Sequence, residues 1–324
     1  MKSINYSVII RTTGKAGEKY RRLLDAVDHL EPIPEEIIVV LPEGYLEPKE
    51  QLGNEKFYYS PKGMVVQRMT GIEKCKSRFA LICDDDVCFE EDFVQKLYEP
   101  IELGLCSFSV GPLYSFLPSG KGALVDFIMS SAIPTLFHKE RYISVLRSSG
   151  YSYNKHLRMD TQYYETQSAA WTCFFADIQA LKSIDFDSEK WLDSHGYSAL
   201  DDQTMFYKAW LRGVKTMVVV DATYEHLDAK TSTKNNQSSV FYSMAFNRVI
   251  FWHRFIYEIQ PNIFFRYWSR VCFEYKNFME KLYNKMSILR GKRVKEDYII
   301  IRKGKKDAWN YIRSQEYINL PPVY

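Results

Sequence analysis

Asp84, Asp85 and Asp86 follow directly on the apolar run Phe79-Ala80-Leu81-Ile82-Cys83. Such a run, bounded by polar residues, reads as a buried strand. Carboxylates at the carboxyl end of a strand stand where open α/β sheets place their ligand crevice. Like charges this close repel unless a positive charge joins them, and a hard divalent cation that also grips phosphate oxygens meets that need. The triplet therefore points to a metal and a phosphorylated substrate. The alternative is an acidic cap on the helix that Phe93, Val94 and Leu97 announce by their spacing.

A second acidic pair, Asp201-Asp202, opens a helical stretch that runs to Leu211 and closes at Gly213. A carboxylate at a loop-to-helix junction can be aimed into a cleft as a general base, or can serve as an ordinary N-cap.

The elements that must position these acids alternate along the chain. Residues 6–10 read as a strand, 16–30 as a helix with Leu23, Leu24, Val27 and Leu30 on one face, and 36–41 as a second buried strand. A helical stretch, 64–76, leads into the strand that ends at the aspartates. Strand, helix, strand, helix, strand is the pattern of a parallel sheet with crossover helices. After an irregular stretch around Gly120 to Gly122, residues 169–175 read as a central strand, 178–184 as a short helix and 216–220 as a strand that rejoins the sheet. Beyond Asn236 come helical segments, 246–257 and 264–285, crowded with aromatics and cations. No internal repeat is visible.

Over residues 6–230 the chain resembles the family-2 glycosyltransferases of the GT-A fold. The resemblance rests on Ile9-Ile10-Arg11-Thr12-Thr13-Gly14 after the first strand, on Lys62-Gly63-Met64-Val65-Val66-Gln67-Arg68 at a helix start, on Asp84-Asp85-Asp86, on Asp201-Asp202 and on Val218 to His226. It implies an open, mixed, mostly parallel α/β sheet flanked by helices, with a C-terminal helical extension. Residues 1–232 would form the transferase domain, 1–110 being its nucleotide-sugar half and 111–232 its acceptor half, and 233–324 the helical, aromatic and basic region.

The resemblance also assigns roles. Arg11, Thr13, Glu43, Arg68, Asp84 and Asp85 would bind the donor, a nucleotide-diphosphate sugar, with Asp84 on the ribose. Asp86 and His226 would hold a divalent metal, Mn²⁺ or Mg²⁺, an imidazole suiting Mn²⁺ better. Asp202 would take the acceptor's hydroxyl proton, and Trp171 and Asp201 would meet the acceptor, a glycan or lipid-linked glycan. Glu43 stands where the family commonly shows aspartate, and Met69 where it often shows asparagine, so the nucleotide base is left open. A nucleotidyltransferase would carry a glycine-rich basic loop after the first strand, where this chain has one glycine, Gly14. A non-catalytic nucleotide-sugar-binding module would have no need of Asp202.

Composition narrows the rest. A hydrophobic share of 46% with 26% charged residues is that of a folded globular chain, and a net charge of +3 gives no nucleic-acid signal. Six cysteines without a CxxC pair suit a reducing compartment, and the amino terminus reads as free of an export signal, so a cytoplasmic location is expected. Charges such as Arg248, Arg254, Glu258 and Arg266 interrupt every candidate membrane span. The same cations among Phe, Tyr and Trp lead us to expect either peripheral contact with the inner membrane face or a helical cap on the core.

Overall fold

A computed structural model describes residues 4–113, 141–154, 160–228 and 237–324. The irregular stretch expected around Gly120 to Gly122 lies outside the described residues. Four strands, β1 (Tyr6–Arg11), β2 (Glu36–Pro42), β3 (Glu55–Ser60) and β4 (Phe79–Asp84), pair in parallel in the order β3-β2-β1-β4. The sheet continues through β10 (Cys173–Asp177), β6 (Phe108–Val110), β11 (Thr216–Val219) and β9 (Tyr163–Thr166). Within this second part only β6 and β11 are parallel. The expected open, mixed, mostly parallel sheet is thus the one formed. Two short ribbons stand beside it: β5 (Val87–Phe89) with β12 (Tyr224–His226), and β7 (Ile143–Val145) with β8 (Ser152–Asn154).

Alternation along the strands builds two cores. Val8, Ile10, Val39, Leu41, Leu81 and Cys83 face α1 (Glu18–Asp28) and α3 (Phe93–Glu102), which bury Leu23, Leu24, Val27, Phe93, Val94 and Leu97. Ile9, Ile38, Val40 and Ile82 face the other way, toward α2 (Met64–Lys74), α4 (Ile178–Ser183) and α5 (Asp201–Leu211). A period of two on the strands and of 3.6 on the helices is what lets each side chain find its layer. In α2, a Cβ at Gly71 would lie 2.5 Å from Ile9 Cγ2. The missing side chain is therefore what brings this helix, and the Arg68 it carries, close over β1.

The C-terminal residues form α6 (Gln237–Trp252), a π-helical turn over His253–Tyr257, α7 (Ile263–Leu289) and α8 (Lys295–Tyr311). In the turn Glu258 N–H donates to His253 O at 2.9 Å, the i→i+5 bond of a π turn. These helices share a core with the sheet: Phe246, Val249, Ile250, Phe251, Trp252, Phe255 and Phe273 belong to the same apolar cluster as Ile9 and Ile82. The tail thus packs on the core, while α7 also leaves a row of apolar side chains exposed.

A fully buried ionic group ties this region to α5. Glu189, in the 3-10 segment Phe186–Asp193, accepts from Lys208 at 2.7 Å and from Arg254 through two bonds of 2.9 Å. Burial pushes the Glu189 carboxyl up, but the two cations outweigh it and hold it below the usual carboxylate range. Its stabilising contribution is therefore complete above the unfolded value of about 4.3 and is lost as pH falls through the lower folded value. Glu189→Ala leaves two cations buried without a counter-charge and should cost about 3–5 kcal/mol, read as a lower midpoint in urea unfolding.

Candidate active site

The strand order reverses at β1 and β4, since β1 leads outward to β2 and β3 while β4 lies on its other side. Such a switch point, at the carboxyl ends of parallel strands, is where α/β sheets open a crevice. Here Arg11 and Asp84 stand opposite each other in the β1–β4 register. The guanidinium bonds the carboxylate through Nε to Oδ1 at 3.1 Å and through Nη2 to Oδ2 at 3.0 Å. The next carboxylate, Asp85, accepts from Thr12 Oγ1 at 2.6 Å. Burial, with help from Asp86 and Asp84, pushes Asp85 up to about 6 against the Thr12 bond and the charge of Arg11. Asp86 is held from across the ribbon, where β12 pairs with β5: His226 Nε2 lies 3.3 Å from Asp86 Oδ1, and Leu227 N–H donates to Asp86 O at 2.7 Å. The Asp86 hydrogen bond raises the His226 imidazole above its usual value.

Arg68, 3% exposed, is the cation at the centre. It donates to Asp84 Oδ1 at 3.1 Å, to Trp171 O at 3.0 Å and to the Asp201 carboxylate, and its guanidinium carbon lies 4.4 Å from the Trp171 ring centroid. The helix bearing it is capped from a distance. The Asp193 carboxylate accepts from the backbone N–H groups of Met64 at 2.9 Å and of Val65 and Val66 at 3.2 Å, satisfying the orphan donors of the first turn. Gly63 leaves the room, because a Cβ there would lie 2.4 Å from Asp193 Oδ2. The positive end of α2 is thus already filled by a side chain of the protein.

The second acidic pair enters through a strained turn. Leu200 has φ +68°, a left-handed conformation unusual for a leucine, and it directs Asp201 and Asp202 into the first turn of α5. Burial raises Asp201 in spite of Arg68. Asp202 accepts from Gln203 N–H at 2.6 Å and has no ion pair among the described residues. Burial first, then the charge of Asp201, pushes its carboxyl up to about 7.

Arg11, Arg68, Asp84, Asp85, Asp86, Trp171, Asp201, Asp202 and His226 line one cleft of about 510 Å³, within the range of small-molecule sites. Trp171 is 2% exposed and its ring packs beneath Arg68 and against Phe174 and Phe186. Thr13 and Glu43 do not line this cleft: the Thr13 hydroxyl is buried without a hydrogen-bond partner, and Glu43 is exposed beyond β2. Residue spacing does not single out Asp193 or the cleft-lining Tyr197, and it gives Arg248 to the tail although Arg248 also lines the cleft. No local residue signals the cap, since Asp193 is 128 residues away from Val65.

Among the described residues no three His, Cys, Asp or Glu side chains stand together as a ready metal cage. The juxtaposed Asp86 and His226 supply one oxygen and one nitrogen donor. Two protein donors fit a cation that completes its shell with phosphate oxygens and water.

The fold has counterparts among known proteins. Residues 47–182 match the model described as glycosyl transferase family 2. No curated protein matches the sequence. Among solved structures, that of S. aureus TarS residues 1-349 superposes with a TM-score of 0.51 at 15% identity, over 94% of this chain and 81% of that one. The same TarS segment in complex with UDP-GlcNAc gives 0.50 at 12% identity, over 94% and 80%. At such identities the likeness establishes the architecture, the GT-A α/β fold.

Proposed function

We propose that this chain, a family-2 glycosyltransferase working with a nucleotide-sugar donor, transfers its sugar to a hydroxyl acceptor by a metal-assisted inverting displacement in which Asp202 is the base. The observation that carries this reading is the division of labour within one cleft. Asp84 and Asp201 are neutralised by arginines, whereas Asp86 faces His226 and Asp202 has no ion pair among the described residues.

An inverting transfer needs one base beside the attacking hydroxyl, and a carboxyl near 7 is well matched to that task at neutral pH. Asp202 accepts the proton as the acceptor oxygen closes on the anomeric carbon, while the bond to the diphosphate breaks. Asp86 and His226 would hold the divalent cation, which supplies positive charge to the departing diphosphate. Arg11 and Arg68 keep Asp84 ionised and fixed at the donor side. UDP, part of the ligand in the TarS complex, is the first nucleotide to test.

In this reading the acceptor side faces a membrane surface. No helix among the described residues is long and apolar enough to cross a bilayer. On α7, however, Phe264, Tyr267, Phe278 and Leu289 are exposed opposite the buried Cys272, Phe273 and Lys276. Arg270, Lys281 and Lys285 flank that stripe, and cations beside interfacial aromatics complement anionic headgroups. In this reading the acceptor is a lipid-linked glycan of the cell envelope, glycosylated at the cytoplasmic face.

Three outcomes test these assignments. Asp86→Ala should abolish the Mn²⁺-dependent gain in UDP affinity measured by calorimetry, and an unchanged gain would remove Asp86 from the metal site. Asp202→Asn should lower turnover about 10²- to 10⁴-fold, and wild-type turnover should fall as pH drops through about 7. Because the folded carboxyl is raised above its unfolded value of about 3.9, ionising Asp202 opposes folding. Stability from this group therefore declines as pH rises toward 7, and the ligand-free Asn variant should melt higher than wild type at pH 8. Near-normal transfer by that variant would place the base elsewhere. The intact protein should co-sediment with anionic but not neutral vesicles, less so in high salt. A dimer in solution without vesicle binding would instead assign the α7 stripe to a second copy.

A further inference from the structure

Arg248 reaches the cleft from α6, outside the segment that matches the family model. Its Nη1 lies 3.5 Å from Gln203 Oε1, next to Asp202, and its guanidinium carbon lies 5.9 Å from the Tyr151 ring centroid. Lys276 of α7 brings its Nζ to 5.7 Å from the same ring. Lys276 is 6% exposed and has no hydrogen bond or ion pair among the described residues.

The surroundings do not balance these charges. Glu280 and Asp202 are the carboxylates that act on this cluster, and Glu280 is already ion-paired with Lys305 of α8. Burial works to raise Glu280, yet Lys276 and Lys305 hold it down to about 2. Burial, then the charge of Arg248, pulls the Lys276 ammonium down to about 7. Lys276 shares the Glu280 charge with Lys305, so this buried cluster holds more cations than carboxylates and is stabilised when an anion arrives. An arginine fork beside a lysine point charge is a combination that recognises phosphate oxygens.

We propose that Arg248 and Lys276, packed on Tyr151 beside Asp202, form an acceptor subsite for a phosphate ester. The location on the acceptor side rests on the reading of Asp202 as base, since the base must stand beside the acceptor hydroxyl. The donor diphosphate belongs to the acidic side of the cleft, where Asp86 and His226 meet. The phosphate recognised is therefore one that the acceptor carries near the hydroxyl being glycosylated.

The test is a calorimetric titration of inorganic phosphate into the full chain, alone and saturated with UDP and Mn²⁺. Wild type should bind phosphate in both states without releasing UDP. Arg248→Gln and Lys276→Met should each weaken phosphate binding about tenfold, the worth of one charge-assisted bond, and Lys276→Arg should restore most of it. Should Lys276→Met fail to fold, Arg248→Gln decides. Phosphate affinity indifferent to both substitutions overturns the subsite. So does competition between phosphate and UDP accompanied by weaker UDP binding in Arg248→Gln, which would give these cations to the donor. Phosphate binding that depends on Arg248 in a protein that binds no UDP would leave the anion site standing and refute the donor reading instead.

Discussion

The site depends on one buried guanidinium. Arg68 lies between Asp84, at the end of β4, and Asp201, at the start of α5, with Trp171 beneath it. Removing a charge of this kind from water costs several kcal/mol, which good geometry and full hydrogen bonding must offset. Here the offset comes from two carboxylates in different halves of the chain and from the Trp171 carbonyl. The halves are thus locked in the relation that puts an acidic strand end and Asp202 in one cleft. Much around Arg68 serves to hold it: Gly71 lets its helix approach β1, and Asp193 caps the helix through a gap that Gly63 keeps open.

The same network sorts the acids. Of each neighbouring set one carboxylate becomes structural through an arginine, Asp84 in the first and Asp201 in the second, and each leaves an adjacent group with different chemistry. Burial works against the anion at both positions, but two arginines outweigh it at Asp84, whereas at Asp202 the charge of Asp201 adds to it. Similar residues at similar depth thereby acquire different proton affinities. The local charge partners, more than burial itself, set the difference.

What was legible in the sequence is what a local pattern can carry. Strands at 6–10, 36–41 and 79–83 were evident because both their faces are buried and their residues are aliphatic, and the structure extends each by one residue. The central strand, expected at 169–175, begins at Cys173, since Trp171 and Thr172 form a turn along the crevice in which Thr172 O still accepts from Asp84 N–H at 2.8 Å. β3, with Glu-Lys-Phe-Tyr-Tyr-Ser half exposed at the sheet edge, has too little apolar contrast to be recognised, and the three-residue β5 and β12 have no period at all. α8 was hidden by its Arg302 to Lys306 cations, of which Lys305 turns inward to Glu280. Asp193 and Arg248 depend on contacts between distant segments, which residue spacing does not encode.

The π turn that follows α6 has a bearing on how this fold tolerates change in length. A π turn accommodates one residue more than an α turn, so Phe251 and Trp252 before it and Phe255 and Ile256 within it all stay in the core. The turn works as a slack link in the helix register. Inside α6 there is no such slack: adding or losing one residue between Arg248 and the turn would rotate that side chain by about 100° around the helix axis, away from Gln203 and the cleft. Length variation among related chains should therefore gather at the turn, while the spacing from Arg248 to Trp252 is kept.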